Sequence, residues 1–540
     1  MLRHNNRNRS FLMVALCATA LILITRLPTL SHNLYLHPDE HVFYLGANSL
    51  LTSILHPGTP FEECMEYPEG SYYFYAAFQL LGKVFCTLTG REMDLQIWGR
   101  IASVFYYIAA VLLGMRLVHR HLGKSTTSLV FYSLTMCFSL FFIEFSRYGT
   151  GDMISLMLLM LLLNLTAHAT ASGRPVLWWA CAFFVSGILG AVKYPLLLFS
   201  LVPLAAFLCQ PAPRPQKARR LVLFLLACVC GLMLFSPKAM LDPAYFLRAI
   251  FREGTSYTAE RVSHEPGGWL NHLLCMVVYS LFYSDIPLIS PLVLALFASG
   301  CIRFFKSRNT RTDADPTDLL FYVILPIAAL FFLGYNVFVY LQFFRTYTPF
   351  YGTVTLYAAL AAEKLFSRKG FWKTGIVLLS GFMVLRGCFL VYALSDQQRD
   401  LEKFSRQIAA AVGSSWSETY VTCDFATYPS VILESGIPVQ ASYDLQPVLD
   451  KNGGQLVIQP GQLVLTGARA YHHGQRYLLP VDEQAHATIE QWHEFKNANQ
   501  EYKIAQCYPD YYYYLFGGWV RGGTLSQYEF PANYVYYRES

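Results

Sequence analysis

Runs of about twenty mostly apolar residues recur along the first three quarters of the chain, and they constrain its fold more than any other feature. A helix needs about 20 such residues to span a bilayer. The chain is 54% hydrophobic and only 14% charged, whereas soluble domains carry about 25% charged residues. We therefore predict a polytopic α-helical membrane protein with eleven spans, at 11–30, 99–119, 125–145, 150–170, 176–193, 194–210, 219–236, 286–305, 318–340, 346–365 and 372–394.

The character of the sequence changes after Asp396, where charged residues return and apolar runs shorten to strand length. We predict a transmembrane domain at 1–395 and a soluble C-terminal α/β domain at 396–540. In the second domain, ETYVTCD and GQLVIQPGQLVLTG are typical of strands, and LEKFSRQIAAAVG and ATIEQWHEFKNAN of helices. This domain has no nucleophile elbow, phosphate loop or zinc motif, so a role in substrate recognition is a hypothesis.

Basic clusters set the predicted orientation, because short cytoplasmic loops are enriched in Lys and Arg. Such clusters lie at the N-terminus, 116–124, 214–220, 303–311 and 364–373. All of them fall on one side only if a twelfth apolar candidate does not cross the membrane. That candidate, the tyrosine-rich segment 72–89, is therefore predicted to be an interfacial or re-entrant helix of the first external loop.

In this orientation the N-terminus is cytoplasmic, and the loops 31–98 and 237–285 and the C-terminal domain are external. The first apolar run follows three arginines but lacks a clear small-residue cleavage site, which favours a retained signal anchor in a bacterial inner membrane. No basic block is interleaved with aromatic residues, so nucleic-acid binding is not expected. Two disulfides could form on the external side: Cys423 with Cys507, and Cys64 with Cys86.

The most informative polar residues all fall on this predicted outer side. They occur at the ends of predicted spans and in the two large external loops. Charged side chains at the margin of the hydrocarbon layer are costly unless they are paired or face a polar cavity. Their shared side predicts one amphiphilic site at the membrane surface, formed by Asp39, Glu40, Tyr67, Arg147, Asp152, Lys193, His264, Glu265 and Arg345.

Each of these residues also has a structural interpretation, which the sequence leaves open. Asp39 and Glu40 could cap the helix that begins near His41. Arginines and lysines at span boundaries often extend to headgroups or pair with a nearby acid, and histidines in polar loops are often solvated. These interpretations apply to Arg147, Lys193, His264 and Arg345.

A sugar carried on a polyprenyl phosphate is a ligand that would need such a site. The lipid requires a membrane groove, and its phosphate requires Arg or Lys for charge-assisted hydrogen bonds. An acceptor hydroxyl that attacks the anomeric carbon needs a carboxylate as general base, which typically contributes about 10²–10⁴-fold. The lipid phosphate is a good leaving group and needs cations more than a general acid. One carboxylate opposite two or three cations would be sufficient.

Short motifs follow one another in order over residues 11–365. They are HPDEHVFYLGAN after the first span, then EYPEGSYYFYA, SRYGTGDM, KYP, SHEPGGW and RTYTPFY. The ordered set resembles the GT-C glycosyltransferases, in particular the protein O-mannosyltransferases and the aminoarabinose transferase that acts on lipid A. In the second motif Glu69 stands where that family has a second proline.

The resemblance implies an inverting transferase that moves a sugar from a polyprenyl-phosphate donor to a lipid, glycan or protein acceptor. It implies that Asp39 is the catalytic carboxylate and that Glu40 is the alternative, or a contact for a metal or the acceptor. It also implies contacts with the donor phosphate, at Lys193 and Arg345 and, less directly, at Arg147 and His264.

The resemblance leaves dependence on a metal open, because some members of the family bind a divalent cation near the acidic motif and others act without one. Asp39 and Glu40 stand beside His37 and His41 and could hold such a cation. No spaced set of Cys and His ligands supports a metal site elsewhere.

Two other functions compete with a glycosyltransferase. An O-antigen-type polymerase or ligase would place its chemistry in Arg-rich external loops and would not need an acidic motif after the first span. A transporter or flippase for lipid-linked sugars would show polar or broken segments near the middle of its spans, often with internal repeats. Here the charges lie near span ends and no repeat is evident. The sequence identifies neither the sugar nor the acceptor.

Overall fold

The computed structural model of the chain divides into two compact units. The first, which we call the helical unit, comprises Met1–Leu27 and Val42–Gly387, and the second, the sheet unit, comprises Pro28–His41 and Cys388–Ser540. The structure describes residues 2–30, 34–35, 40–59, 61, 69–122, 125–170, 176–210, 213–236, 241–244, 246–248, 251, 295–299, 301–302, 316–338, 347–368, 370–412, 416–422, 428–429, 437–442, 445–466, 491, 493–507 and 533–539.

The helical unit is built almost entirely of helices. A break at Ser139 separates α5 from α6, and the segment 146–151, which we call the junction, separates α6 from α7. The helices are α1 Leu2–Arg26, α2 Glu40–Leu55, α3 Gly70–Thr89, α4 Leu95–Leu117, α5 Thr126–Phe138, α6 Leu140–Phe145, α7 Asp152–Thr170, α8 Val176–Val192, α9 Leu201–Leu208, α10 Arg214–Phe235, α11 Pro316–Leu319, α12 Leu325–Phe338, α13 Thr348–Phe366 and α14 Phe371–Val412. The first two residues of α2 and the part of α14 from Cys388 onward belong to the sheet unit.

Within the described ranges, six helical stretches are long and apolar enough to cross a membrane, judged by length and composition. The protein is therefore an integral membrane protein. The six are Asn8–Thr29, Leu95–Leu122, Asp152–Thr170, Arg214–Phe235, Thr317–Tyr335 and Phe371–Ala411, and four shorter apolar helices lie at Val42–Leu55, Thr126–Phe138, Val176–Val192 and Tyr194–Leu208.

The predicted number of eleven spans is not established, because several predicted spans differ from one continuous helix. The predicted span 125–145 is divided at Ser139, whose extended backbone (φ −64°, ψ 130°) ends α5. The predicted span 194–210 starts with a 3₁₀ segment, Tyr194–Ser200, which carries a proline in its first turn. Most of 286–305 lies outside the described residues. Segment 72–89 is helical, within α3, and its non-crossing position stays a prediction.

Small residues allow the helices of this unit to approach closely. A Cβ added at Gly187 of α8 would lie 1.9 Å from the carbonyl oxygen of Cys228 in α10, and one at Gly231 of α10 would lie 2.1 Å from that of Phe184. Without a side chain at either glycine the two backbones touch, which is how membrane helices gain packing energy. This contact supports α8, whose last residue precedes Lys193.

The sheet unit contains a five-stranded mixed sheet. In it β2 is parallel to β4 and β5, while β7 is antiparallel to β5 and β6. The strands are β1 Leu34–Tyr35, β2 Glu418–Thr422, β3 Tyr428–Pro429, β4 Val439–Ser442, β5 Gln462–Thr466, β6 Lys503–Cys507 and β7 Asn533–Tyr537, in the order β4-β2-β5-β7-β6, with β1 and β3 forming a separate antiparallel pair.

Both faces of this sheet are covered by apolar residues. The final turns of α14 pack on one face through Leu401, Phe404 and Ile408. The short helix α15, Gln446–Lys451, packs with Phe495 on the other face. Alternate residues of β5 and β7 therefore enter different cores, as the period of two in a strand requires. The predicted strand ETYVTCD contains β2, and the second half of GQLVIQPGQLVLTG contains β5, whereas its first half, 454–460, is not a strand.

Candidate functional site

Four of the nine predicted site residues lie in described parts of the chain: Glu40, Arg147, Asp152 and Lys193. The structure brings Asp152 and Lys193 into direct contact and places Arg147 in the junction that precedes Asp152. The other five, Asp39, Tyr67, His264, Glu265 and Arg345, lie outside the described residues, as do Cys64 and Cys423 of the two predicted disulfides.

Asp152 and Lys193 form a largely buried ion pair between α7 and the end of α8. Lys193 Nζ lies 2.9 Å from Asp152 Oδ1, and the side chain of Lys193 is 26% exposed while that of Asp152 is 4% exposed. Thr150 Oγ1 donates to the other carboxylate oxygen at 2.8 Å. Both oxygens of Asp152 therefore accept a hydrogen bond. The carboxylate also lies at the N-terminus of α7, where the helix dipole favours a negative charge.

The sequence around Lys193 explains why this lysine is available for the pair. Its amide still donates to the Leu189 carbonyl at 3.1 Å, as the last hydrogen bond of α8. Its own backbone is extended (φ −158°, ψ 109°), and Pro195 in the next segment cannot continue the α-helical hydrogen bonding. The lysine therefore leaves the helix at its end, with its side chain directed to Asp152.

Two glycines of the junction are required by close packing from α2 and α3. A Cβ at Gly149 would lie 1.9 Å from Tyr44 Oη, and one at Gly151 would lie 2.7 Å from Ser71 Oγ. Tyr75 Oη donates to the Thr150 carbonyl at 2.9 Å. The Gly-Thr-Gly sequence thus allows aromatic side chains of α2 and α3 to contact the backbone that presents Thr150.

The start of α3 packs in the same way against the end of α8. A Cβ at Gly70 would lie 2.6 Å from the carbonyl oxygen of Ala191, two residues before Lys193. Glu69, which precedes α3, is 5% exposed. The motifs EYPEGSYYFYA, SRYGTGDM and KYP, far apart in the sequence, therefore meet at one end of the helical unit.

Arg147 and Tyr148 form the other half of the junction. Arg147 is 3% exposed, and its guanidinium carbon lies 5.6 Å from the centroid of the Tyr148 ring. Tyr148 Oη donates to Glu144 Oε1 at 3.0 Å. Burial, aided by the Glu144 carboxylate, raises the pKa of Tyr148 above its ordinary value. The tyrosine is therefore a neutral donor, and the cation of Arg147 lies against its ring.

Glu40 is the first residue of α2 and is completely buried. A carboxylate in the first turn stabilises the positive end of the helix dipole, which agrees with the capping interpretation of the acidic motif. The aspartate beside it, Asp39, lies outside the described residues. The roles of the two carboxylates therefore stay predictions.

Several buried charged residues were missed by the sequence interpretation. Each sits inside or beside a predicted apolar run, where an ionisable residue is expected to face the protein interior and to mark a functional region. That rule is the signal that could have identified Arg26, Arg100 and Arg386, which are 0%, 0% and 4% exposed.

Within the described parts of the chain, no three His, Cys, Asp or Glu residues come together as ligands for a metal ion. The candidate ligands of the acidic motif are mostly outside those parts, since only Glu40 has a described side chain. A divalent cation at the acidic motif therefore stays a prediction.

No protein-family model matches the sequence, and no curated protein matches it by sequence comparison. ArnT from Cupriavidus metallidurans in the apo state superposes with a TM-score of 0.50 over 85% of this chain and 93% of ArnT, at 13% identity. The same protein bound to undecaprenyl phosphate gives a TM-score of 0.49 over 87% and 94%, at 13% identity.

An oligosaccharyltransferase from Archaeoglobus fulgidus, tethered with an acceptor peptide that contains the NVT sequon, gives a TM-score of 0.50. The match covers 91% of this chain and 72% of that one, at 10% identity. Identities this low establish similarity of fold alone. The similarity of fold that the ordered motifs predicted is thus confirmed, in that the chain shares its fold with ArnT and with the archaeal oligosaccharyltransferase.

Proposed function

We propose that the protein is an inverting glycosyltransferase that takes a sugar from a polyprenyl-phosphate donor at the external face of the membrane. The observation that carries the proposal is the largely buried Asp152–Lys193 pair, whose carboxylate directly follows the junction that contains the buried Arg147. Charges buried at a helix end in a membrane protein are costly. Their presence there is explained if an anionic headgroup binds against them.

The donor phosphate is assigned to Lys193 and Arg345, with Arg147 and His264 as further contacts that the family resemblance implies. Lys193 has three N–H donors and its bond to Asp152 uses one of them. Its partly exposed ammonium can therefore bind a phosphate oxygen while Asp152 holds it in place.

Asp39 is the proposed general base, and the burial of Glu40 supports this choice. A base must come within hydrogen-bond reach of the acceptor hydroxyl, whereas Glu40 is enclosed at the start of α2. In the reaction the acceptor oxygen bonds to the anomeric carbon as the bond from that carbon to the phosphate oxygen breaks. The hydroxyl proton passes to Asp39, the lipid phosphate leaves with the bonding electrons, and the configuration at the anomeric carbon inverts.

The acceptor and the sugar stay open within this proposal. A lipid, a glycan or a protein would each present a hydroxyl or another nucleophile to such a site. The proposed setting is the inner membrane of a bacterium with the site on the periplasmic side, because the basic clusters would then be cytoplasmic.

The deciding experiment compares surface glycans, lipids and proteins by mass spectrometry in a deletion strain and in strains complemented with variants. Asp39→Asn should behave like the deletion, with a lost sugar modification and normal protein levels. Asp396→Asn is the matched control, because it neutralises a carboxylate at an exposed ion pair with Arg399, and it should restore the modification.

Glu40→Gln separates the two carboxylates. If it alone abolishes the modification, the base is Glu40; if both variants retain the modification, the mechanism is wrong. A deletion strain that accumulates lipid-linked sugar on the cytoplasmic side would favour a flippase, because loss of a transferase should leave the unused donor on the external side.

A further inference from the structure

Arg26, the last residue of α1, is completely buried and its guanidinium binds atoms on both sides of α6. Nη1 donates to the Cys137 carbonyl at 2.6 Å, and Nη2 to the Met136 carbonyl at 3.4 Å. Nε donates to Ser146 Oγ at 3.3 Å. One side chain therefore joins α1 to the end of α5 and to the first residue of the junction.

The two carbonyls are among those that the break at Ser139 affects. α5 ends at Phe138, and the last carbonyls of a helix lack donors within it. Tyr107 of α4 also donates to the Met136 carbonyl, and the guanidinium carbon of Arg26 lies 5.5 Å from the centroid of the Tyr107 ring. A planar fork of five N–H donors suits acceptors that are spread over two segments, and the negative end of α5 favours a cation there.

The segment between these two attachment points is short. α6 has six residues, Leu140–Phe145, and a helix of that length has little stability of its own. Its position must come from tertiary contacts, and Arg26 supplies one at each end. Ser146, which Arg26 binds, is directly followed by Arg147.

We infer that Arg26 is a positioning residue, which fixes α6 and thereby sets the place of Arg147 relative to the Asp152–Lys193 pair. The ligand consequence rests on the proposed function, in which these cations hold a lipid phosphate. Arg26 itself is enclosed by protein atoms and does not touch the donor. Its effect on binding would act through the junction.

Two substitutions at Arg26 separate positioning from general stabilisation. Arg26→Met removes the fork and the charge, while Arg26→Lys keeps a cation at the end of α5 but cannot reach both the Cys137 carbonyl and Ser146 Oγ. Tyr107→Phe is the matched control, because it removes the other donor to the Met136 carbonyl and leaves the contact with Ser146 intact.

The measurements use the full-length chain in lipid nanodiscs. Amide hydrogen exchange over 139–151 reports the junction, melting temperature reports the whole protein, and titration with undecaprenyl phosphate reports the anion site. We expect Arg26→Lys to melt within a few degrees of the wild type, yet to exchange at least tenfold faster in 139–151 and to bind undecaprenyl phosphate at least tenfold more weakly. Arg26→Met should show the same faster exchange and weaker binding, and it should also melt at a lower temperature. Tyr107→Phe should match the wild type in exchange over 139–151 and in binding.

The inference is overturned if Arg26→Lys matches the wild type in exchange and binding, since a cation alone would then be sufficient. It is overturned as well if Arg26→Met raises exchange equally throughout the helical unit. A different result concerns the proposed function: wild-type protein that does not bind undecaprenyl phosphate contradicts that function, while the exchange over 139–151 still decides whether Arg26 positions the junction.

Discussion

Two lysine–carboxylate pairs in this molecule have almost the same length and very different surroundings. Lys193 lies 2.9 Å from Asp152 in the helical unit, and Lys451 lies 2.8 Å from Glu418 in the sheet unit. The exposed fractions of lysine and carboxylate are 26% and 4% in the first pair, and 58% and 28% in the second. The pairs therefore differ in burial and not in distance.

The difference in burial indicates that Asp152–Lys193, and not Lys451–Glu418, is the pair connected with function. An exposed pair contributes about 0–1 kcal/mol because water and salt screen it. A buried pair gains more attraction but loses hydration, so that it is weak evidence for stability and is often no better than an apolar replacement. A chain that keeps the buried pair at a helix end near Arg147 therefore retains it for a reason other than stability, and binding of an anion is that reason in our proposal.

The largest expected effect comes from removing Lys193, and the same substitution at Lys451 is its control. Lys193→Met should lower transfer of the sugar at least 100-fold, because a charge-assisted contact with the donor phosphate is lost. Lys451→Met, the same substitution in the other pair, should leave transfer within about twofold, since an exposed pair contributes little. Rates are measured with full-length protein in membranes or nanodiscs.

Asp152→Asn added to Lys193→Met tests whether the lysine acts through stability. The single variant leaves a largely buried carboxylate without its cation, which in buried pairs typically costs about 3–5 kcal/mol, and less here because Lys193 is partly exposed. The double variant should recover much of the lost melting temperature but none of the transfer. Recovery of transfer with stability would contradict a role for Lys193 at the donor.

A second prediction compares the two glycines of the junction. Gly149→Ala would place a methyl group 1.9–2.3 Å from the buried ring of Tyr44, and overpacking of this kind typically costs about 1–3 kcal/mol. Gly151→Ala would place a methyl group 2.7 Å from the hydroxyl of Ser71 and at ordinary contact distance, 3.7 Å, from Phe43 and Val192. We expect Gly149→Ala to lower both melting temperature and transfer, and Gly151→Ala to have a smaller effect that Ser71→Ala relieves. Equal effects of the two alanines would show that Tyr44 does not fix the junction.

The sequence allowed the type of fold and part of the site to be predicted. Apolar runs identified a membrane protein, and ordered motifs indicated the fold. Asp152 and Lys193 were both chosen as site residues because each charge stood at the end of a predicted span. Their contact was not predicted, because they are 41 residues apart and periodicity within a helix carries no information on which helix ends meet.

The break in the predicted span 125–145 and the role of Arg26 escaped the same reasoning for a physical reason. The run is apolar on average, so hydropathy averages over Ser139 and predicts one helix. The carbonyls released by the break are satisfied by Arg26, which comes from a helix more than a hundred residues earlier in the chain. These hydrogen bonds depend on tertiary structure, and the only indication of them in the sequence is an arginine within an apolar run.

The smallest expected effect concerns the exposed pair and its dependence on pH. Hydrogen bonding from Lys451 lowers the pKa of Glu418 below its ordinary value, against partial burial, which raises it. Tyr420 Oη adds a hydrogen bond to the same carboxylate at 2.9 Å. A carboxylate whose pKa is lower in the folded state stabilises that state above the pKa of the unfolded chain. This contribution is lost as the pH falls through the folded pKa.

Glu418→Gln isolates this contribution from the other acids of the chain. Near pH 7 the wild type should melt slightly higher than the variant, by the equivalent of less than about 1 kcal/mol, because the pair is partly exposed. The difference should shrink as the pH falls below about 4.5, where the unfolded carboxyl takes up a proton. Lys451→Met should show the same difference at pH 7, and the double variant no more than either alone. A larger difference in melting temperature between the wild type and Glu418→Gln that persists at pH 3 would mean that Glu418 stabilises the fold through packing. The exposed and the buried ion pair would then differ only in degree.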